Sequence, residues 1–176
     1  MPHTVLYVPV PELEAYIRRR HVVEGPEWLS PDPAHVHAHL TLLGPFVPDD
    51  AVTEDLDAEL AALFGAVEPF AFTLGEIRVF PSGLVYLHPE PTGPFESLTA
   101  ALATRYPAFP PYAGEFAPVP HLSLCALGPG RDLRLVGKEL AELLPVRTTA
   151  REVWLVRYAE RGTRTLRTYL LGREET

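Results

Sequence analysis

Apolar positions along the chain switch several times between the alternation typical of strands and the three-and-four spacing of helices. TVLYVPV (4–10) predicts a strand and ELEAYIRRR (12–20) a helix; past a proline-interrupted loop, HAHLTLL (37–43) predicts a second strand, ended by the turn Gly44-Pro45. VTEDLDAELAALFG (52–65) carries its apolar residues at helical spacing and Gly65 can close it, after which FAFTLGEIRVF (70–80) predicts a third strand. From Gly83 the order β-α-β-α-β runs again: LVYLHP (84–89), a helix at 93–106 entered through Pro94, the strand PHLSLCAL (120–127), a helix at 131–144 and the strand REVWLVRYA (151–159). RTLRTYLLG (164–172) adds a strand paired with 151–159 through the turn around Gly162. The repeated order predicts one bilobal domain over 1–176, its halves at roughly 1–80 and 83–176.

Composition narrows the setting. The chain has 176 residues, 47% of them hydrophobic and 22% charged, enough to build a core. A formal charge of −8 argues against tight gripping of long nucleic acid, because that binding depends on Lys and Arg neutralising phosphates. A small or terminal phosphate ligand is compatible with it. Cys125 is the only cysteine, so no intramolecular disulfide forms and the cytoplasm is the expected location. The first twenty residues run from apolar to charged, the wrong order for a secretory signal. No stretch approaches the roughly 20 apolar residues that span a bilayer, so no membrane association is expected.

The third element of each half carries the chemistry. His39-Leu40-Thr41-Leu42 and His121-Leu122-Ser123-Leu124 share one pattern. On a strand, alternate side chains face opposite ways, so His39 and Thr41 share one face and Leu40 and Leu42 the other; the same holds for His121 and Ser123. Each strand then offers a histidine and a hydroxyl about 7 Å apart along its length, directed at a common groove, with the leucines packed under helices.

The paired motifs resemble the 2H phosphoesterase superfamily, which includes 2′-5′ RNA ligase and cyclic phosphodiesterase proteins. LLGPF after the first motif, PPYAGEFAPVPHLSL around the second and VWLVRYAERG near the end extend the resemblance over nearly the whole chain. It implies an α+β fold of two pseudo-symmetric lobes, each an antiparallel sheet with helices outside, forming a central groove. It also implies a phosphodiesterase acting on a 2′,3′-cyclic phosphate or a related cyclic or 2′-5′ phosphodiester of a nucleotide or RNA end, with a ligase-like reverse reaction. The residue chemistry suits this. In-line displacement at phosphorus needs a proton removed on one side and delivered on the other, and two histidines can be base and acid near neutral pH. Thr41 and Ser123 suit donation to phosphate oxygens without adding charge. Neither a metal nor a cofactor is needed for those roles.

Other readings compete. His35, His37 and His39 alternate and could hold zinc in a hydrolase, although Pro33 makes their approach loop-like and Asp32 is the only nearby carboxylate. His37 could instead orient His39 or face solvent, while His3, His21 and His88 read as ordinary surface. A nucleotide-binding module without turnover would use the same groove. Phe46, Tyr86 and Tyr112 are candidates for stacking on a base, Tyr112 foremost because its loop precedes the second motif. Arg157, Arg161, Arg164 and Arg167 crowd the last hairpin, where one could reach a phosphate or all could face solvent. Cys125 shares the His121 face by alternation and reads as packing.

Overall fold

The computed structural model describes residues 3–159 and 162–172. Its strands are β1 (His3–Pro9), β2 (His39–Leu43), β3 (Phe70–Val79), β4 (Leu84–Glu90), β5 (Leu122–Ala126), β6 (Val146–Ala150), β7 (Glu152–Ala159) and β8 (Gly162–Leu170). The helices are α1 (Glu14–Glu24), α2 (Glu54–Gly65), α3 (Gly93–Arg105) and α4 (Leu133–Leu140). All eight strands pair antiparallel in one sheet ordered β6-β3-β4-β5-β2-β1-β7-β8. The two expected sheets are therefore the halves of one continuous sheet, joined where β2 meets β5 at Leu40 opposite Leu122. Chain order and sheet order differ. β3, from the first half of the chain, pairs with β4 and β6, whereas β7 from the second half pairs with β1.

One face of this sheet carries the core. Leu40, Leu42, Leu122 and Leu124 are buried there with Leu13, Tyr16 and Ile17, Leu60 and Phe64, Phe95, Leu98 and Leu102, and Val136 and Leu140. Each buried Leu contributes about 1.5–3 kcal/mol of transfer free energy, so the motif leucines fix which face their histidines can occupy. The opposite face holds a small cluster of Val5, Tyr7 and Val156 with Trp154 and Tyr158 against it. Two helix starts are capped by side chains, Thr53 accepting from the Leu56 amide and Asp132 from the Leu135 amide. Buried Arg20 of α1 bonds Glu139 of α4 at 3.0 Å, which ties the two halves together and explains why α1 lacks a clean apolar stripe.

Three local differences from the sequence expectation have physical causes. β6 was not anticipated, because its residues Arg147, Thr148 and Thr149 show no strong alternation; it is an edge strand held by β3. α4 is shorter than 131–144 because Asp132 caps it at one end and a turn leads to Pro145 at the other. The alternation also breaks in both motif strands. Leu6 pairs with Leu43 but Tyr7 with Thr41, and Val85 pairs with Cys125 but Tyr86 with Ser123. Each motif strand thus has one extra residue, Leu42 or Leu124, at the same place in its tetrapeptide, forming a β-bulge. The bulge turns Cys125 into the core beside the leucines, correcting the expectation that it shares the His121 face.

Candidate active site

Leu40 opposite Leu122 sets the register of the two motifs. By antiparallel pairing, His39 then lies across from Ser123 and Thr41 across from His121, all four on the face away from the leucines. The histidines occupy one diagonal and the hydroxyls the other, and diagonal neighbours across a strand pair are about 7–8 Å apart at Cα. That leaves room for one tetrahedral anion between the rings.

Both histidines are held in the same way. His39 Nδ1 donates to the His37 carbonyl at 2.6 Å, and His121 Nδ1 donates to the Val119 carbonyl at 2.7 Å, each acceptor two residues upstream. With Nδ1 carrying the proton, Nε2 is the nitrogen left for chemistry in each ring. Each is also flanked by a tyrosine from the neighbouring strand. Tyr7 stacks on His39 at 4.1 Å between centroids, and Tyr86 meets His121 edge-on at 5.7 Å. Tyr7 pairs with Thr41 and Tyr86 with Ser123, so the support is as symmetric as the motifs. Burial pushes the His39 ring down to about 4 against the bond to the His37 carbonyl, with His35 and His121 adding to the depression. Burial likewise lowers His121, the Val119 carbonyl opposing it. Both rings are neutral in the free protein at neutral pH.

Behind His39 stands a buried network. Glu14 of α1 accepts from the His37 amide at 2.6 Å, the Ala38 amide at 3.0 Å and His37 Nδ1 at 2.7 Å. Those two amides are therefore unavailable to a partner strand, which is why β2 begins at His39 rather than at residue 37. His37 Nε2 accepts from the Ser30 amide at 2.9 Å, so both nitrogens of this largely buried ring are engaged although it borders the groove, and its carbonyl holds His39. Burial pushes the Glu14 carboxyl up, but its bonds from His37 and Ala38 outweigh that and hold it below the usual carboxylate range. The stability it contributes is present at neutral pH and is lost as acid protonates it below its ordinary value. Glu14→Gln is expected to destabilise the fold by roughly 1.5–3 kcal/mol, the scale of hydrogen bonds to a charged group, and to lower kcat more than it raises KM by loosening His39. Denaturant melts and steady-state kinetics on the same preparation check both. Sequence pattern missed Glu14 because its role depends on α1 crossing the start of β2.

The zinc reading meets occupied donors. His35 Nδ1 bonds Thr165 Oγ1 at 2.9 Å and its Nε2 lies 3.3 Å from Thr163 Oγ1, while both His37 nitrogens are bonded as described. Among the described residues no group of three or more His, Cys, Asp or Glu is arranged to hold a metal. His35 and His37 are structural groups beside His39, and only the His37 carbonyl is bonded to it.

A groove of about 500 Å³ opens on His39, Thr41 and Ser123, and its walls include Trp28, Tyr158 and Tyr112. His3 and His21 also line it and are not ordinary surface. The described residues lining it include no Lys or Arg. Arg157 is paired with Asp49 and Arg167 with Asp57, Arg164 is exposed, and Arg161 lies outside the described residues. Of the aromatic candidates, Phe46 does not reach the groove: it is buried between Tyr106 and Phe109. Tyr86 is buried under Phe80, stacked at 4.1 Å, and supports His121 instead of presenting a free face.

Tyr112 is at the rim, with its ring near-parallel to His121 at 6.1 Å. It and Ala113 adopt left-handed conformations, φ 52° and 53°, ahead of Gly114 at φ 78°. Non-glycine residues in that region cost of order 1–3 kcal/mol each, and the surrounding prolines together with the Tyr112 amide bond to the Gly44 carbonyl, 2.9 Å, hold them there. A Cβ at Gly44 would come within 3.1 Å of both Val5 methyls, so a larger residue in the turn that accepts this bond has to displace Val5 by a few tenths of an ångström.

The 2′-5′ RNA ligase superfamily model matches residues 9–162. The chain belongs to the 2′-5′ RNA ligase superfamily. The match includes both histidine motifs and the sheet between them. LigT of E. coli in complex with 3′-AMP shares the fold, with a TM-score of 0.60 at 19% identity over 97% of this chain and 99% of LigT. TT0787 of Thermus thermophilus is similar, with a TM-score of 0.64 at 19% identity over 98% of this chain and 100% of that one. LigT has also been crystallised with NADP+, at 21% identity over 97% of this chain and 98% of LigT and a TM-score of 0.57. No curated protein sequence matches the chain. No helix among the described residues is long and apolar enough to cross a membrane.

Proposed function

We propose that this superfamily member is a metal-independent phosphodiesterase that opens a 2′,3′-cyclic phosphate, or cleaves a related 2′-5′ diester, on a nucleotide or RNA end. The observation that carries the proposal is the matched restraint of His39 and His121, each fixed through Nδ1 with Nε2 left for proton transfer. One Nε2 takes the proton of the attacking water as its oxygen bonds to phosphorus. The other gives a proton to the ribose oxygen as its bond to phosphorus breaks. Thr41 and Ser123, on the opposite diagonal, donate to the non-bridging oxygens where charge builds. Opening by a nucleoside hydroxyl in place of water would be the ligase-like direction. LigT complexes with 3′-AMP and NADP+ agree with a nucleotide ligand for this groove. The described residues lining the groove include no Lys or Arg, which fits an expectation of weak binding to long RNA.

Purified protein incubated with chelator and a panel of 2′,3′-cyclic mononucleotides, cyclic-phosphate-ended RNA and 2′-5′ dinucleotides tests this directly. Turnover of any of them supports the enzyme. Binding without turnover makes the protein a nucleotide-binding module, and activity restored only by added zinc returns the metal reading.

The pH dependence carries its own sign. The base must be neutral, so the rate falls as pH drops through its pKa; the acid must be protonated, so the rate falls as pH rises through its pKa. Both rings are depressed in the free protein, His39 to about 4, which moves the bell in kcat/KM to the acid side of the ordinary histidine value. A bound anionic phosphate favours the imidazolium and raises the pair, so the kcat maximum is expected at higher pH than the kcat/KM maximum. Coincident maxima, or a kcat/KM still climbing beyond about pH 8, contradict the assignment.

A further inference from the structure

The two motif strands are flanked by matching rows that differ at their outer end. Register sets Trp154, Tyr7 and Thr41 side by side across β7, β1 and β2, and Arg78, Tyr86 and Ser123 side by side across β3, β4 and β5. Directly paired residues share a face, so both rows lie on the face of the two histidines. The outer residue of each row is tethered to a glutamate two positions earlier: the Trp154 indole donates to Glu152 at 2.8 Å and Arg78 Nη2 to Glu76 at 2.7 Å. Where the first row ends in an uncharged ring, the second ends in a cation. Neighbouring positions continue the contrast. β7 presents Trp154, Val156 and Tyr158 to this face, opposite Tyr7, Val5 and His3, whereas β3 presents Glu76 and Arg78, opposite His88 and Tyr86. The Glu76 carboxylate above all, with Tyr86 adding to it, holds the Arg78 proton more firmly than usual. The guanidinium thus lies by the Tyr86 hydroxyl, and the Tyr86 ring meets His121 edge-on at 5.7 Å. Strands stand about 4.8 Å apart, which roots Arg78 roughly 10 Å from Ser123. Glu76 takes one donor of a fork that carries five, and the Arg78 side chain is 41% exposed, so donors remain for an anion arriving from solvent.

From this juxtaposition we propose that Arg78 anchors a second phosphate of the substrate. The preferred ligand is then a 2′,3′-cyclic phosphate on a nucleotide that carries a further phosphate at its 5′ oxygen, as an RNA end does, and not on a bare nucleoside. The reacting phosphate lies between His39 and His121, the ribose bridges over β4, and the 5′-phosphate meets the guanidinium. A planar fork engages two phosphate oxygens at once, which the compact ammonium of a lysine does not. An exposed pair such as Glu76 and Arg78 contributes little by itself, so a phosphate can share the guanidinium with Glu76 at small cost. One anchored phosphate gives no length-dependent grip on RNA, in keeping with the formal charge of −8. The proposal rests on the phosphodiesterase reading and narrows its substrate.

The test compares kcat/KM for 5′-phosphoadenosine 2′,3′-cyclic phosphate with that for adenosine 2′,3′-cyclic phosphate, two substrates with the same base and the same reacting group. The wild type is expected to favour the first by about 10-fold, the low end for a hydrogen bond to a charged group because Arg78 is open to solvent. Added salt should shrink the preference. Arg78→Ala should abolish it, Arg78→Lys should keep part of it, and Glu76→Gln, which frees the fork, should keep or enlarge it. Both residues are exposed, so the variants are expected to fold. Equal kcat/KM for the two substrates in the wild type overturns the anchor, and so does a preference that survives Arg78→Ala. A loss of kcat on both substrates alike, with the preference intact, reduces Arg78 to a support for Tyr86 and His121 and also overturns it. Calorimetric binding of the same two ligands is measured in parallel, so the anchor is judged even without turnover. If neither ligand is turned over, the phosphodiesterase reading fails. The anchor still stands if the 5′-phosphorylated ligand binds more tightly and Arg78→Ala removes the difference; equal affinities overturn it.

Discussion

His39→Ala and His121→Ala are each expected to lower kcat by about 100- to 10,000-fold, the usual contribution of a general acid or base, while the protein stays folded. The rings are held by one carbonyl bond each and by tyrosine contacts, whereas the core is made by the leucines on the other face, so truncating either ring leaves the core intact. The two losses should not add. Once one proton transfer is gone, the residual rate comes from a path that does not need the other, and the double variant should resemble the worse single one. Stopped assays with circular dichroism on each variant measure both parts. A folded His121→Ala that keeps near wild-type kcat refutes the paired acid and base roles.

Thr41→Ala and Ser123→Ala form the second test and separate positioning from proton transfer. A hydroxyl donating to a charged group contributes roughly 1.5–3 kcal/mol, or on the order of 10- to 150-fold in rate. Register places each hydroxyl across from the other motif's histidine, so either loss should act on the same phosphate and the two effects should be similar in size. The pH profiles should keep their shape, because no titrating group is removed. An effect confined to KM would make them ground-state binders, and an effect as large as that of the histidines would place a hydroxyl in the proton path.

The candidate site was legible in the sequence because it is written in short-range pattern. Alternation fixed His39 with Thr41 and His121 with Ser123 on one face, and the buried Leu40 and Leu122 confirm which face is which. The recurrence of that pattern in two matching β-α-β-α-β halves, and its resemblance to a known superfamily, carried the α+β fold and the family. Tyr7 and Tyr86 were legible in principle, since each sits in the first strand of its half, and only Tyr86 was singled out.

What remained was decided by contacts between residues distant in the chain. Alternation assumes an unbroken ladder, and the bulges at Leu42 and Leu124 break it, so Cys125 lies in the core where a count of two placed it with His121. Phe46 is apolar and follows a motif, yet only the packing of Tyr106 and Phe109 puts it inside. The alternating His35, His37 and His39 have the spacing of a metal site, and only Glu14, Ser30, Thr163 and Thr165 turn the first two into structural groups. The pairing of β3 with β4, and of β7 with β1, exchanges strands between the two halves of the chain, and β2 against β5 closes them into one sheet. Sequence determined which side chains are offered to the proposed chemistry, because side-chain type and strand period are local. The tertiary structure alone decided which of them meet, because register, bulges and hydrogen-bond partners are set by strands that the chain brings together from far apart.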